Sequence, residues 1–234
     1  MEKKGHLQSI NNHNFFCSWS GGKDSCLAFY HAIQNGGIPK TLFTMLRDDG
    51  ERSRSHGLPV DLIERQAKSL GVSLVVKKSS WNEYEKVFLS AIREFKENGI
   101  SCGVFGDIDL EPHLEWVERV CSMVTIKPYE PLWKKARLDL LSEFLRLGFS
   151  ATIVAIKQDV LDTGFLGRVL DENLIKEMET IGIDPSGEKG EYHTVVTDGP
   201  IFSFPLQLEF KEKYVDDGYC FSDISASDRT DSIS

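Results

Sequence analysis

The sequence predicts an α/β protein: a doubly wound parallel sheet followed by a smaller α+β domain. Three observations lead there. Short apolar runs alternate with helical patterns at least four times between residues 14 and 124, with short joints between them. Glycine-containing turns close two of those runs, at 20–25 and at 106–107. After about residue 130 the alternation stops and the text turns β-rich. The expected domains are residues 1–130 and residues 131–234, the latter ending in a polar tail.

The elements follow in order. NFFCSW (14–19) is a short apolar run ending in a glycine turn, which reads as a buried strand. In the next segment Cys26, Leu27, Phe29, Ala32 and Ile33 recur at helical spacing, and Gly36-Gly37 stops the helix. KTLFTML (40–46) is a second strand. Residues 57–71 are a helix with proline near its start and glycine at its end. SLVVKK (73–78) is a third strand, 81–99 a long amphipathic helix, 100–107 a fourth strand and 111–124 a further helix. EPLW (130–133) is a proline-marked joint. A helix at 138–148, a strand at 150–157 and a helix near 171–181 come next. From 194 onward the text is β-like: Leu206, Leu208 and Phe210 alternate with polar residues, and DDG (216–218) is a hairpin turn. The polar N-terminus reads as a loose tail, and SDISASDRTDSIS (222–234) as a fraying one.

Composition narrows the function classes. The formal net charge of −9 gives no sign of a polyanion-binding surface, which weighs mildly against a nucleic-acid substrate and leaves a local basic groove open. The five cysteines form no C-x-x-C pair, so buried thiols in a reducing cytoplasm are expected rather than disulfides or a cysteine zinc site. No apolar run reaches the length of a membrane span, and no membrane partner is expected.

SGGKDS (20–25) falls at the C-terminal end of the first strand and the N-terminus of the first helix. It is not a Walker A loop: the spacing would place the first glycine at Cys17, and Asp24 stands where the magnesium-binding hydroxyl belongs. A serine nucleophile elbow is disfavoured because only one strand precedes the turn. What remains suits a pyrophosphate. Gly21 and Gly22 let backbone amides approach, the helix N-terminus adds its positive end, Ser20 and Ser25 donate hydrogen bonds, and Lys23 supplies a charge. Asp24 beside phosphates calls for a bridging Mg2+ or for capping of the loop's own amides.

SGGKDS resembles the pyrophosphate loop (PP-loop) of the ATP pyrophosphatases. GDI (106–108), VERVC (117–121), EPLW (130–133), LGR (166–168) and GEKGEYHT (187–194) are similar, in order, to the diphthine–ammonia ligase-like branch of that superfamily. The resemblance implies the adenine nucleotide alpha hydrolase-like (HUP) fold. It also implies an ATP-dependent, AMP- and pyrophosphate-forming carbon–nitrogen ligase that adenylates an acceptor carboxylate and then admits ammonia. The chain departs from the diphthamide-forming members, which carry Glu-Thr where His193-Thr194 stands and a Tyr-Gln-Arg type stretch after GDI. Long eukaryotic members carry extra C-terminal domains, and this chain resembles the short, bacterial-type subgroup.

The expected ATP ligands are Ser20, Gly21, Gly22, Lys23, Asp24, Ser25, His56, Gly106 and Asp107, with Asp24 on Mg2+. Asp107 reads equally well as a helix N-cap. The expected catalytic set is Lys23, Asp107, Glu188, Glu191 and His193. The last three crowd a glycine-rich turn with Asp198, a turn expected to fold over the loop from its own chain or from a homodimer mate. Lys157 and Arg168 are weaker candidates for the same site, and Trp116 and Trp133 read as core. Two other functions stay open: a PP-loop tRNA-modifying enzyme, and a non-catalytic adenine-nucleotide-binding regulator.

Overall fold

The computed structural model describes residues 9–228. Within them the chain forms two compact units. The first comprises the described residues through Ser20 together with Asp24–Ser53 and Val72–Lys135. The second comprises Gly21–Lys23, Arg54–Gly71 and the described residues from Ala136 onward. Two early stretches of sequence thus belong structurally with the C-terminal half.

The first unit is a five-stranded parallel sheet built from β1 (Asn14–Ser18), β2 (Ile38–Leu46), β3 (Ser73–Lys78), β4 (Cys102–Val104) and β5 (Lys127–Tyr129). The strand order is β3-β2-β1-β4-β5. β1 is therefore central, and the order reverses between β1 and β4, the place where such sheets bind ligands. Both faces of β1 are buried. Phe15 meets Phe29 of α1 (Lys23–Gln34) edge-on at 5.7 Å between ring centroids. On the opposite face Phe16 meets Phe43, Phe88, Phe95 and Phe105 at 5.2–6.4 Å. These rings form a core with α3 (Tyr84–Glu97) and α4 (Glu111–Met123). A run such as Phe15-Phe16 has no dry alternative to a strand covered on both sides.

β5 was not expected from the sequence. It has three residues with Pro128 in the middle. Proline is tolerated there because β5 is an edge strand with one neighbour, so its missing N–H costs no ladder bond.

The second unit contains α2 (Val60–Leu70), α5 (Arg137–Arg146), α6 (Glu172–Thr180) and an antiparallel sheet of order β7-β6-β9-β8. Its strands are β6 (Ser150–Lys157), β7 (Tyr192–Asp198), β8 (Leu206–Asp216) and β9 (Tyr219–Asp228). α6 is capped by Asp171, whose carboxylate accepts the Leu174 N–H at 2.7 Å. β8 and β9 form the expected hairpin, and Asp217 and Gly218 both take positive φ, as a two-residue turn of the primed type requires.

The C-terminal tail expectation needs correction. Residues through Asp228 belong to β9, which pairs with β8 along its length with one register shift between Phe210 and Lys213. Ser222, Ile224 and Ala226 face inward while Asp223, Ser225 and Ser227 are partly exposed, so the Ser/Asp-rich text conceals a period of two. The remaining tail residues, 229–234, and the N-terminal tail, 1–8, lie outside the described residues. Among the described residues no helix is long and apolar enough to cross a membrane. The five cysteines are buried and unbridged. Burial raises the thiol pKa values of Cys17, Cys26, Cys102 and Cys121, to about 12 for Cys102.

Candidate nucleotide-binding site

The loop after β1 is shaped by its small residues. In the first unit the Ser20 and Ser25 hydroxyls lie 3.0 Å apart, and the Ser20 N–H donates to Ser25 Oγ at 3.3 Å. The two ends of the loop are thereby tied together. Gly106, just beyond β4, abuts the same place: a Cβ there would lie 2.9 Å from the Asp24 carbonyl carbon and the Ser25 amide nitrogen. Only glycine allows β4's exit to pass this close to the first turn of α1. Asp107 follows, and its carboxylate accepts from His113 Nδ1 at 3.0 Å in the first turn of α4. Asp107 is thus held by a histidine and does not cap α4, whose N-cap is Leu110 with no side-chain cap bond. Asp24 is half-buried in the first turn of α1.

The middle of the loop belongs to the second unit and is fixed by β7. The Val196 N–H donates to the Gly21 carbonyl at 2.9 Å, and the Lys23 N–H donates to Thr194 Oγ1 at 3.2 Å. Gln66 of α2, fully buried, donates from its amide nitrogen to the carbonyls of Gly21 at 2.9 Å and Val196 at 2.7 Å. Gly22 is crowded as well: a Cβ would lie 2.3 Å from His56 Cε1. His56 donates from Nδ1 to the Thr194 carbonyl at 2.8 Å, which fixes its tautomer. Gln66 and Thr194 were not singled out from the sequence. A glutamine on an amphipathic helix and a threonine in a β-run carry no local signal for a loop more than forty residues away.

The turn before β7 is built from side chains. Asp184 accepts from the Ser186 N–H and hydroxyl at 3.0 and 2.6 Å and pairs with Arg137. Burial pushes its carboxyl upward, but Ser186 and Arg137 outweigh that and hold it below the usual range. Tyr192 donates its hydroxyl to the Pro185 carbonyl at 2.5 Å, and Tyr219 donates to the Gly190 carbonyl at 2.8 Å. Glu191 is 6% exposed, and its carboxylate accepts the Lys189 N–H at 2.9 Å. It therefore holds the turn it sits in. Glu188 points elsewhere, with its Oε1 3.5 Å from Lys23 Nζ.

His193 lies between two rings: His56 at 4.6 Å and Tyr219 at 5.3 Å between centroids. Burial holds its imidazole well below the usual histidine range, with the charges of His56 and Lys23 acting in the same direction. It is a neutral imidazole near neutral pH. Asp198 accepts the Gly199 N–H at 2.8 Å and closes β7. Arg168 forms a two-pronged pair with Glu177 at 2.8 and 2.6 Å, which satisfies its fork away from the loop. Trp116 and Trp133 are only half-buried, and Trp116 Nε1 donates to Glu85 at 3.0 Å.

Of the residues expected from the sequence, the structure brings Ser20, Ser25, Asp24 and Gly106 together in the first unit. In the second it brings Gly22 against His56 and Lys23 against Glu188, with His193 beside His56. Glu191 and Asp107 are engaged with near neighbours in sequence.

A doubly wound sheet carrying Ser-Gly-Gly-Lys-Asp-Ser at the end of its central strand defines a PP-loop nucleotide-binding protein. Comparison with known proteins gives the family. The profile of the diphthamide synthase N-terminal domain matches residues 15–128, and that of the diphthamide synthase C-terminal domain matches residues 136–229. The chain belongs to this family, a diphthine–ammonia ligase-like branch of PP-loop proteins and an ATP-dependent ligase family. It is 25% identical over 234 residues to the diphthine–ammonia ligase of Rattus norvegicus, covering 88% of this chain and 86% of that protein. The Homo sapiens diphthine–ammonia ligase is 26% identical with the same coverage. That of Schizosaccharomyces pombe is 26% identical over 215 residues, covering 82% of this chain and 36% of that protein. Length beyond the match is thus large in the fission-yeast protein and small in the mammalian ones. A solved structure described as a predicted subunit of tRNA methyltransferase from Methanocaldococcus jannaschii covers 80% of this chain and 99% of that one. It is 16% identical with a TM-score of 0.42, an overlap that carries no argument about function.

Proposed function

We propose that the chain is an AMP- and pyrophosphate-forming amide ligase that activates an acceptor carboxylate with ATP and transfers the acyl group to ammonia. The observation that carries this reading is the loop. It sets the Ser20 and Ser25 hydroxyls 3.0 Å apart at the N-terminal end of α1, after the central strand of a parallel sheet whose order reverses beside it, and its glycines and Lys23 offer further donors in sequence. Donors placed there stabilise a leaving pyrophosphate, because charge develops on it in the transition state.

In the proposed reaction an acceptor carboxylate oxygen attacks the α-phosphorus. The bond from that phosphorus to the bridging oxygen breaks, and pyrophosphate departs into the loop. Ammonia then attacks the acyl carbon, the carbon–oxygen bond to AMP breaks, and the nitrogen gives up one proton. Neutral His193 is the proposed acceptor of that proton, and Glu188 the proposed attractor of ammonium. Residues 1–130 are proposed to contribute most of the ATP contacts, with Gly106 and Asp107 among them, and residues 131–234 the acceptor and ammonia contacts. The proposed acceptor is diphthine, which the relatives' name contains, reacting through a carboxylate.

Mg2+ fits the donor set. It takes one or two protein carboxylates and fills its remaining positions with phosphate oxygens and water. Asp24 and Asp107 supply two carboxylates flanking the Gly106 contact. Among the described residues no group of three or more metal-binding side chains is assembled. An ion brought in by the nucleotide would neutralise charge on the phosphates.

The test is a reaction containing ATP, Mg2+, ammonium and a diphthine-bearing protein. AMP and pyrophosphate in equal amounts are expected, with the mass change of carboxylate-to-amide conversion on the acceptor. ADP and orthophosphate would overturn the reading.

A further inference from the structure

Lys23 lies near a carboxylate and an aromatic ring of the segment that leads into β7. Its Nζ lies 3.5 Å from Glu188 Oε1 and 6.0 Å from the centroid of the Tyr192 ring. The pair is largely withdrawn from water, with side-chain exposures of 9% for Lys23 and 13% for Glu188. A carboxylate beside an aromatic face is a receptor for a small cation, since both the charge and the ring quadrupole attract it. The lysine head group on it is an alkylammonium, the closest chemical stand-in for ammonium that a protein can supply. The receptor is rigid: Tyr192 is anchored through its hydroxyl to the Pro185 carbonyl, and Asp184 and Glu191 brace the turn on either side of Glu188.

We propose that Glu188 and Tyr192 form the ammonium subsite of this protein, and that Lys23 occupies it until a nucleotide's phosphates draw the lysine away. This inference rests on the proposed nucleotide reading of the loop. Lys23 Nζ cannot neutralise the pyrophosphate end of ATP and remain on Glu188 in full. Its transfer removes one cation from a partly buried carboxylate, which is costly until another cation arrives. Ammonium is small enough to fill the vacated place and carries the same charge and donors as the head group that left. Nucleotide therefore binds before ammonium. An acyl-adenylate then forms with its nucleophile already recruited, and exposure of the intermediate to water is shortened.

The reciprocal consequence is measurable. If nucleotide binding creates the ammonium subsite, ammonium must tighten nucleotide binding by the same factor. Calorimetric titration with inorganic pyrophosphate and with ATP gives both quantities on the intact chain, and the fitted stoichiometry reports the folded fraction of each variant. Glu188→Gln releases Lys23 from its competitor and is expected to bind pyrophosphate about tenfold more tightly, the scale of a partly desolvated charge pair. In a Lys23→Met background the same Glu188→Gln change is expected to give little gain, because the competition acts through Lys23. For the wild type, ammonium chloride is expected to tighten ATP binding several-fold relative to tetramethylammonium chloride at equal ionic strength. In Glu188→Gln it is expected to have no such effect. Equal or weaker pyrophosphate binding by Glu188→Gln overturns the proposal. So does a gain that persists without Lys23, which would mean simple repulsion of the anion by Glu188. An effect of potassium equal to that of ammonium also overturns it, since the site would then be a general monovalent-cation site. A wild type that binds neither pyrophosphate nor ATP is a different failure, and it rejects the nucleotide reading itself.

Discussion

The loop at 20–25 and the turn at 184–194 both combine glycines with charges, yet they are built in opposite ways. The loop presents backbone. Its glycines sit where a Cβ would strike neighbouring atoms, and its shape is held from outside by Val196, Thr194 and Gln66. The turn presents side chains. Asp184, Tyr192, Tyr219 and Glu191 are tied into its own backbone, and Glu188 is the carboxylate aimed at Lys23. A backbone site needs a fixed string of small residues and is visible in sequence. In a side-chain site, two chemically identical glutamates three positions apart can do different jobs, and the string does not say which.

The largest expected effect falls on the loop's single ammonium. Lys23→Met should reduce pyrophosphate release from ATP by roughly 10³-fold, the scale of removing a main electrostatic stabiliser of a developing charge. Full activity in that variant would detach the loop from the chemistry. Next is Gly106→Ala. A methyl group 2.9 Å from the backbone of Asp24 and Ser25 has no flexible neighbour to push aside. ATP should bind roughly tenfold or more weakly, with about 1–3 kcal/mol of stability lost in chemical denaturation. Wild-type affinity would show that the loop does not depend on this close approach.

The two glutamates sharpen the comparison. Glu191→Ala leaves the Lys189 N–H without its charged acceptor and should cost about 1–3 kcal/mol. Glu188→Ala should cost less stability and act mainly on ammonium-dependent turnover. Equal melting temperatures for the two variants would erase the distinction between a turn-holding and a cation-binding carboxylate.

The smallest effect is one of pH. His193 resists protonation in the folded state. Below about pH 6.5 the unfolded chain takes up a proton there that the folded chain refuses. The unfolded state then binds more protons, so stability falls as pH drops, by at most about 1.4 kcal/mol per pH unit until the folded imidazole itself titrates. His193→Phe keeps a ring between His56 and Tyr219 and should flatten that part of the profile in thermal melts at pH 5 to 8. An unchanged slope would move the effect to another group.

How far these features were legible in the sequence follows the same physical division. The parallel sheet was readable because each of its first four strands is an apolar run followed by a helix of period 3.6. β5 was not, because Pro128 interrupts a run of only three residues whose edge position alone makes proline acceptable. The later part of β9, from Ser222, was mistaken for a tail because serine and aspartate dominate its composition, although Ile224 and Ala226 keep the period of two. At the site, SGGKDS could be read from its glycines. Gln66 could not, since its role depends on Val196 and Gly21 meeting it from distant parts of the chain.

A crystal structure with an ATP analogue that cannot be cleaved between its α- and β-phosphates tests the central claim most directly. The account predicts the β- and γ-phosphates against the amides of Gly21–Ser25 and the hydroxyls of Ser20 and Ser25, with Lys23 Nζ moved from Glu188 onto a phosphate oxygen. Phosphates bound away from this loop, or a Lys23 that stays on Glu188 with the nucleotide in place, would contradict it.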